Sequence, residues 1–155
     1  MKNRPANVFI GRPPEEMFKY LIELHDAEWR APFPEMRLIS ESYEGLGATH
    51  IEVRRILGRR VETRAETVIY EPNRRWAIRR TSGPVRPQVT YILKPEGGGT
   101  RLAFEFSVPV LEGPARVLGP LVRLGKPFVE RATRADLQRL KLRLESGATP
   151  RKRDD

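Results

Sequence analysis

VETRAETVIYEPNRRWAIRR, residues 61–80, is the stretch on which the fold turns. Alternate positions Val61, Thr63, Ala65, Thr67 and Ile69 are uncharged, while Glu62, Arg64 and Glu66 between them are charged. That period of two is a strand with one wet face. Glu71-Pro72-Asn73-Arg74 then places Pro and Asn at the centre of a type I turn, and Trp76, Ile78 and Arg80 resume the alternation. A two-residue loop sets Ile69 opposite Trp76, Thr67 opposite Ile78 and Ala65 opposite Arg80. The stretch reads as an antiparallel hairpin with an uncharged inner face, into which Arg80 points.

Working outward, the same signals recur. Strands are expected at about 36–44, 48–57, 61–71, 74–82, 86–94 and 100–110, separated by Gly45-Leu46-Gly47, Gly58-Arg59-Arg60, the Pro72 turn and Glu96-Gly97-Gly98-Gly99. Short strands joined by tight turns form a meander. In the last hairpin, pairing Leu93 with Leu102 sets Tyr91 against Phe104 and Val89 against Phe106, three apolar pairs on one face. The Gly58 hairpin admits two registers. A two-residue loop would pair Arg55 with Glu62, with Ile51 and Val53 facing charged residues. A three-residue loop pairs Val53 with Ala65, Ile51 with Thr67 and Arg55 with Thr63. Burying two β-branched side chains, each worth ~1.5–3 kcal/mol, favours the second register. It turns Arg55 inward beside Arg80 and leaves His50 on the outer face.

The meander is flanked by helices. Ala6 to Ile10 reads as a strand, and Pro14, Glu15 and Glu16 open a helix whose apolar face is Met17, Phe18, Leu21, Ile22 and Leu24. Asp26 caps a second short helix through Trp29. After Gly113-Pro114 the pattern is helical to about Ser146, with Val122, Gly125, Val129, Leu137, Leu140 and Leu144 on one stripe. Pro120 and Pro127 are expected to break or kink its first part. Residues 1–148 read as one domain and 149–155 as a polar tail.

Composition narrows the function classes. The chain has 155 residues and no cysteine, which removes disulfides, thiolate metal sites and a cysteine nucleophile. No apolar run reaches the roughly 18 residues of a membrane span, and no signal-peptide pattern opens the chain, so a cytoplasmic location is expected. Net charge is +9, from 29 basic and 20 acidic residues. The Arg-Arg pairs at 54–55, 59–60, 74–75 and 79–80 interleave with Glu52, Glu62, Glu66 and Glu71, as on solvated strands rather than one nucleic-acid stripe. His25 and His50 lack metal-ligand spacing, and no nucleophile elbow or phosphate-cradling loop is present. No metal or other cofactor is expected.

Several segments in order resemble the START-like (SRPBCC) superfamily, and within it the polyketide cyclase/dehydrase group. They are Ile10-Gly11-Arg12-Pro13-Pro14-Glu15-Glu16-Met17-Phe18; Glu28-Trp29-Arg30-Ala31-Pro32; Glu71-Pro72-Asn73-Arg74-Arg75-Trp76; Tyr91-Ile92-Leu93-Lys94-Pro95 with Gly98-Gly99-Thr100-Arg101-Leu102; and the closing Leu137-Gln138-Arg139-Leu140-Lys141. The resemblance implies an α+β helix-grip fold: a seven-stranded antiparallel sheet wrapped around a long C-terminal helix, two short helices after the first strand, and a cavity between sheet and helix. It implies a small hydrophobic or amphipathic ligand as partner. Polyketide cyclase/dehydrase chemistry is the alternative, and a basic nucleic-acid or anionic-surface binder a third reading. Residues expected to line the cavity are Trp29, Ile51, Val53, Thr67, Trp76, Ile78, Tyr91, Phe104, Phe106, Phe128 and Val129. Arg55, Thr63, Arg80 and Tyr91 are the polar groups available to orient a ligand. The two arginines read either as an anion-recognition pair or as side chains that reach solvent or meet Glu130 or Asp136.

Overall fold

The computed structural model describes residues 6–23, 35–40, 44–83, 85–108, 111 and 113–146. Strand β1 (Ala6–Ile10) runs into helix α1 (Pro14–Ile22). Then come β2 (Glu35–Leu38), β3 (Thr49–Ile56), β4 (Arg59–Glu71), β5 (Arg75–Arg80), β6 (Gln88–Glu96) and β7 (Gly99–Ser107). A 3-10 helix (Gly113–Leu118) leads into α2 (Gly119–Glu145). The sheet order is β1-β7-β6-β5-β4-β3-β2, antiparallel throughout, with β1 returning to pair with β7. The fold is α+β with its long helix at the C-terminal side, as the strand ladder implies. The expected second short helix and Trp29 lie outside the described residues.

Helix α1 begins at a proline, whose missing N–H costs nothing at that position, and carries Glu15 and Glu16 in its first turn. It buries Met17, Phe18, Tyr20, Leu21 and Ile22. Helix α2 runs through Pro127 without ending there, so of the expected break or kink the break does not occur. Pro120 sits in the first turn, where proline is tolerated. The second half of α2 contributes Leu137, Leu140 and Leu144 to a core completed by Val8, Ile10, α1 and the inner faces of β4 to β7. It is tied down at its end, where Gly11 N–H donates to Glu145 Oε1 (3.3 Å) and Arg12 Nε donates to the Leu144 carbonyl (3.0 Å).

Two hairpins differ from expectation, each for an identifiable reason. At Pro72 the turn spans three residues, with Asn73 at φ 63° and Arg74 N–H donating to the Glu71 carbonyl. A bulge between Thr67 and Ile69 absorbs the extra residue. Thr67 therefore meets Ile78, and Ala65 meets Arg80, as expected, but nearer the turn Tyr70 rather than Ile69 stands opposite Trp76. Tyr70 packs edge-on against Phe18, 5.4 Å between ring centres.

At Gly58 the loop is Leu57-Gly58, both at positive φ (50° and 76°). That is the geometry whose twist matches a hairpin. It pairs Ile56 with Arg59, Arg55 with Arg60, Glu52 with Thr63 and His50 with Ala65, a register that neither sequence alternative contained. Ile51, Val53 and Arg55 turn to the outer face, and His50 and Glu52 to the inner one. Ile51 and Val53 are nonetheless buried, at 7% and 8% exposure. The premise that only the inner face could bury them was wrong, because both faces of β3 are covered there.

Candidate functional site

The inner face is built by alternation. Trp76 and Ile78 on β5, Val89, Tyr91 and Leu93 on β6, and Leu102, Phe104 and Phe106 on β7 share one side, with Tyr91 opposite Phe104 and Val89 opposite Phe106. Trp76 stacks on Tyr91 (ring centres 5.6 Å, 18° between planes), and Tyr91 meets Phe104 edge-on at 5.3 Å. Trp76 Nε1–H donates to Thr67 Oγ1 at 3.3 Å, which satisfies the indole inside the core.

Burial along this face is graded. Trp76 and Tyr91 are sealed, at 0% and 1% exposure. Val89, Phe104 and Phe106 are only half-buried. On the first half of α2, Val122 and Gly125 of the expected apolar stripe, with Leu118 just before the helix, are also half-buried. The apolar face is thus open at Val89, Phe104 and Phe106, and the first half of α2 carries apolar residues that are likewise only partly covered.

Beside this face lies a polar corner that the expected register concealed. His50 is 1% exposed and Glu52 5%. His50 Nε2 lies 3.4 Å from Glu52 Oε1, and Arg80 Nη2 lies 3.5 Å from Glu52 Oε2. Thr63 Oγ1 donates to the Glu52 carbonyl at 3.5 Å. A buried carboxylate is costly unless charge and hydrogen bonds compensate it, and here an arginine and an imidazole flank it. Arg80 keeps 31% of its side chain accessible. It therefore bridges the buried acid and the solvent side of the face. Chemically the corner offers a guanidinium for an anionic or carbonyl oxygen, and an imidazole–carboxylate pair able to hold or move a proton.

Of the residues expected at the cavity, Trp76, Ile78, Tyr91, Phe104, Phe106, Thr67, Thr63 and Arg80 share the inner face. Ile51 and Val53 lie on the other face. Arg55 is exposed on that outer face opposite Arg60, which corrects its inward assignment. Among the described residues the acid that meets Arg80 is Glu52, and Asp136 is met by Arg139 at 2.6 Å. Phe128 is 73% exposed, on the outward side of α2. Val129 lies within α2 with no described side chain, and Trp29 is outside the described residues. His50 and Glu52 were missed. The signal that could have found them is parity: a loop centred on Leu57-Gly58 puts both opposite the small, uncharged Ala65 and Thr63. Among the described residues no cluster of His, Cys, Asp or Glu has the makings of a metal site, and no helix is long and apolar enough to cross a membrane.

The architecture has close counterparts. TTHA0849 from Thermus thermophilus superposes with a TM-score of 0.72 at 21% identity, covering 96% of this chain and all of that one. DR_A0006 from Deinococcus radiodurans gives 0.65 at 17% identity, over 92% and 96% of the two chains. The di-domain ARO/CYC protein StfQ from the steffimycin biosynthetic pathway gives 0.71 at 12% identity, covering 94% of this chain and 52% of StfQ, so this chain spans about half of that protein. At these identities the likeness is one of fold. No curated protein matches the sequence. The family described as "Polyketide cyclase / dehydrase and lipid transport" matches residues 6–145, almost the whole described fold, and the chain belongs to that family.

Proposed function

We propose that the protein binds a small amphipathic molecule between the inner face of the sheet and the first half of α2. Its apolar body would lie on Val89, Phe104 and Phe106, with an anionic or carbonyl oxygen at Arg80. The observation that carries this reading is the gradient of burial along one continuous apolar face. The same face that seals Trp76 and Tyr91 leaves Phe104, Phe106 and Val89 half-open, next to an arginine anchored on a buried acid. Binding sites for such molecules are mostly apolar with a few polar groups that fix orientation. Mass spectrometry of organic extracts from the purified protein should find one dominant amphipathic species. Arg80→Ala should weaken rebinding of an acid far more than of its methyl ester. Equal loss for both would remove Arg80 from recognition.

A second reading is supported by the His50–Glu52 pair. A buried imidazole against a carboxylate is an apparatus for enolisation or dehydration, and the family description includes cyclase and dehydrase activities. In this reading the protein turns over a polyketide-like carbonyl compound, with His50 moving the proton and Arg80 stabilising the oxyanion. His50→Gln would then abolish turnover while leaving ligand binding intact. Parallel binding and turnover assays on that variant separate carrier from enzyme.

A further inference from the structure

The tip of the β3–β4 hairpin reads Arg54-Arg55-Ile56-Leu57-Gly58-Arg59-Arg60, and it breaks three local rules at once. Leu57 adopts φ 50°, a region that L side chains other than Asn and Asp avoid. Its side chain is 98% exposed. Arg55 stands directly opposite Arg60 in the ladder, and like charges so placed repel. Arg60 reaches Glu62 at 3.2 Å, but among the described residues Arg55 and Arg59 meet no acid. An asparagine at position 57 would suit the turn better. Local rules broken together with no structural return mark functional segments.

A second apolar feature lies at the same end of the sheet. Val117, Leu121, Leu124 and Phe128 are 80%, 64%, 70% and 73% exposed. Leu121, Leu124 and Phe128, spaced three and four apart, lie along one side of α2, and Val117 precedes them in the 3-10 helix; Val122 falls on another side. Arg116, Arg123 and Arg131 are exposed on the same segment. The strand directions put the two features toward one end of the sheet. Strand β7 ends at Ser107 beside Gln88, next to the end of β5 at Arg79 and Arg80, and β4 carries the hairpin past that same end. The chain enters α2 there.

We propose that this end of the molecule docks onto an anionic lipid bilayer, with Leu57 and the outward stripe of α2 entering the headgroup region and the arginines at the phosphates. Charge selects this occupant. A second copy of the chain would set arginine against arginine. Duplex nucleic acid would take the arginines but leave Leu121, Leu124 and Phe128 in water. An anionic bilayer takes both, as for basic amphipathic surface helices generally. The docking does not depend on whether the inner face carries a ligand.

The test is co-sedimentation of the full chain with vesicles of phosphatidylcholine containing roughly one-third phosphatidylglycerol, against vesicles of phosphatidylcholine alone. The protein should partition to the anionic vesicles, and less so as salt rises. Leu57→Asn should lower partitioning by about tenfold or more with Tm unchanged or raised, which excludes unfolding as the cause. Arg55→Gln and Arg59→Gln should each lower it about fivefold. Leu124→Gln should weaken it as well. The proposal is overturned if anionic vesicles do not retain the protein, or if Leu57→Asn leaves partitioning unchanged. It is equally overturned if retention on duplex DNA exceeds that on vesicles, or if light scattering finds a dimer that Leu124→Gln dissolves.

Discussion

The two ends of the sheet are built on opposite terms. At the end bearing the β4–β5 and β6–β7 turns, two arginines are each gripped by an acid. Arg75 grips Glu71 with two bonds of 3.0 and 2.9 Å, and Arg101 grips Glu96 with two of 2.9 Å. Behind them Ile10, Met17, Trp76, Leu102 and Leu140 are fully buried. At the other end Arg55 and Arg59 meet no acid among the described residues, Leu57 stands in water, and the apolar floor of Phe104 and Phe106 is half-open. Stability in proteins is unevenly distributed, and binding elements come from its low end. Here the division falls along the strands: one end holds the fold, and the other is free to meet partners.

The largest test of that division is cavity formation. Trp76→Ala should cost ~3–5 kcal/mol in urea unfolding, because the indole fills a closed space and bonds Thr67. Phe106→Ala, on the same face but half-open, should cost less than about half of that while changing ligand affinity. Equal costs would mean that both ends are packed core. Next in size is the polar corner. Arg80→Ala leaves Glu52 buried with one charge partner fewer, and should cost ~1–3 kcal/mol, less than a fully buried pair because Arg80 is partly wet. A neutral outcome would show that Glu52 is solvated through the open end.

Legibility follows turn chemistry hairpin by hairpin. The β6–β7 hairpin was readable residue by residue, since Gly97-Gly98 fixes its turn and three apolar pairs admit one register. The Pro72 hairpin was readable away from its turn and misread beside it. An extra loop residue and a bulge cancel, and only Tyr70 and Ile69 reveal them. The Gly58 hairpin is not legible in the same way, because apolar burial does not choose the face there. Ile51 and Val53 are buried on the outer face, so that argument had no purchase, and His50 and Glu52 were lost with it. Leu57 at positive φ could not be foreseen from propensity, since leucine is a poor residue for such a turn. Local preference and final structure disagree most at the tip of this hairpin.

That disagreement has a measurable sign. Leu57→Asn should stabilise the protein by ~1 kcal/mol, because asparagine tolerates the left-handed region and no buried contact is lost. A destabilised variant would mean that Leu57 packs against something in solution, and the open end would not be open at its tip.

The smallest effect belongs to the matched end. The bond from Arg101 holds the Glu96 carboxyl below its ordinary 4.5, as Arg75 does for Glu71. A carboxylate whose folded pKa is depressed adds stability that is fully present above its unfolded value and is lost as pH falls through the folded value. Glu96→Gln should therefore be slightly less stable than the parent at neutral pH. The gap should close as the solution is acidified below 4.5, and shrink in high salt, because the pair is exposed. Arg59→Gln at the open end should behave in the opposite way. Removing an arginine without an acid partner should leave stability unchanged or raise it slightly at every pH, and the change should fade with salt as repulsion from Arg55 and Arg60 is screened. If Arg59→Gln proves as costly as Glu96→Gln and titrates with it, the open end has an acid partner in solution, and the contrast between the two ends is lost.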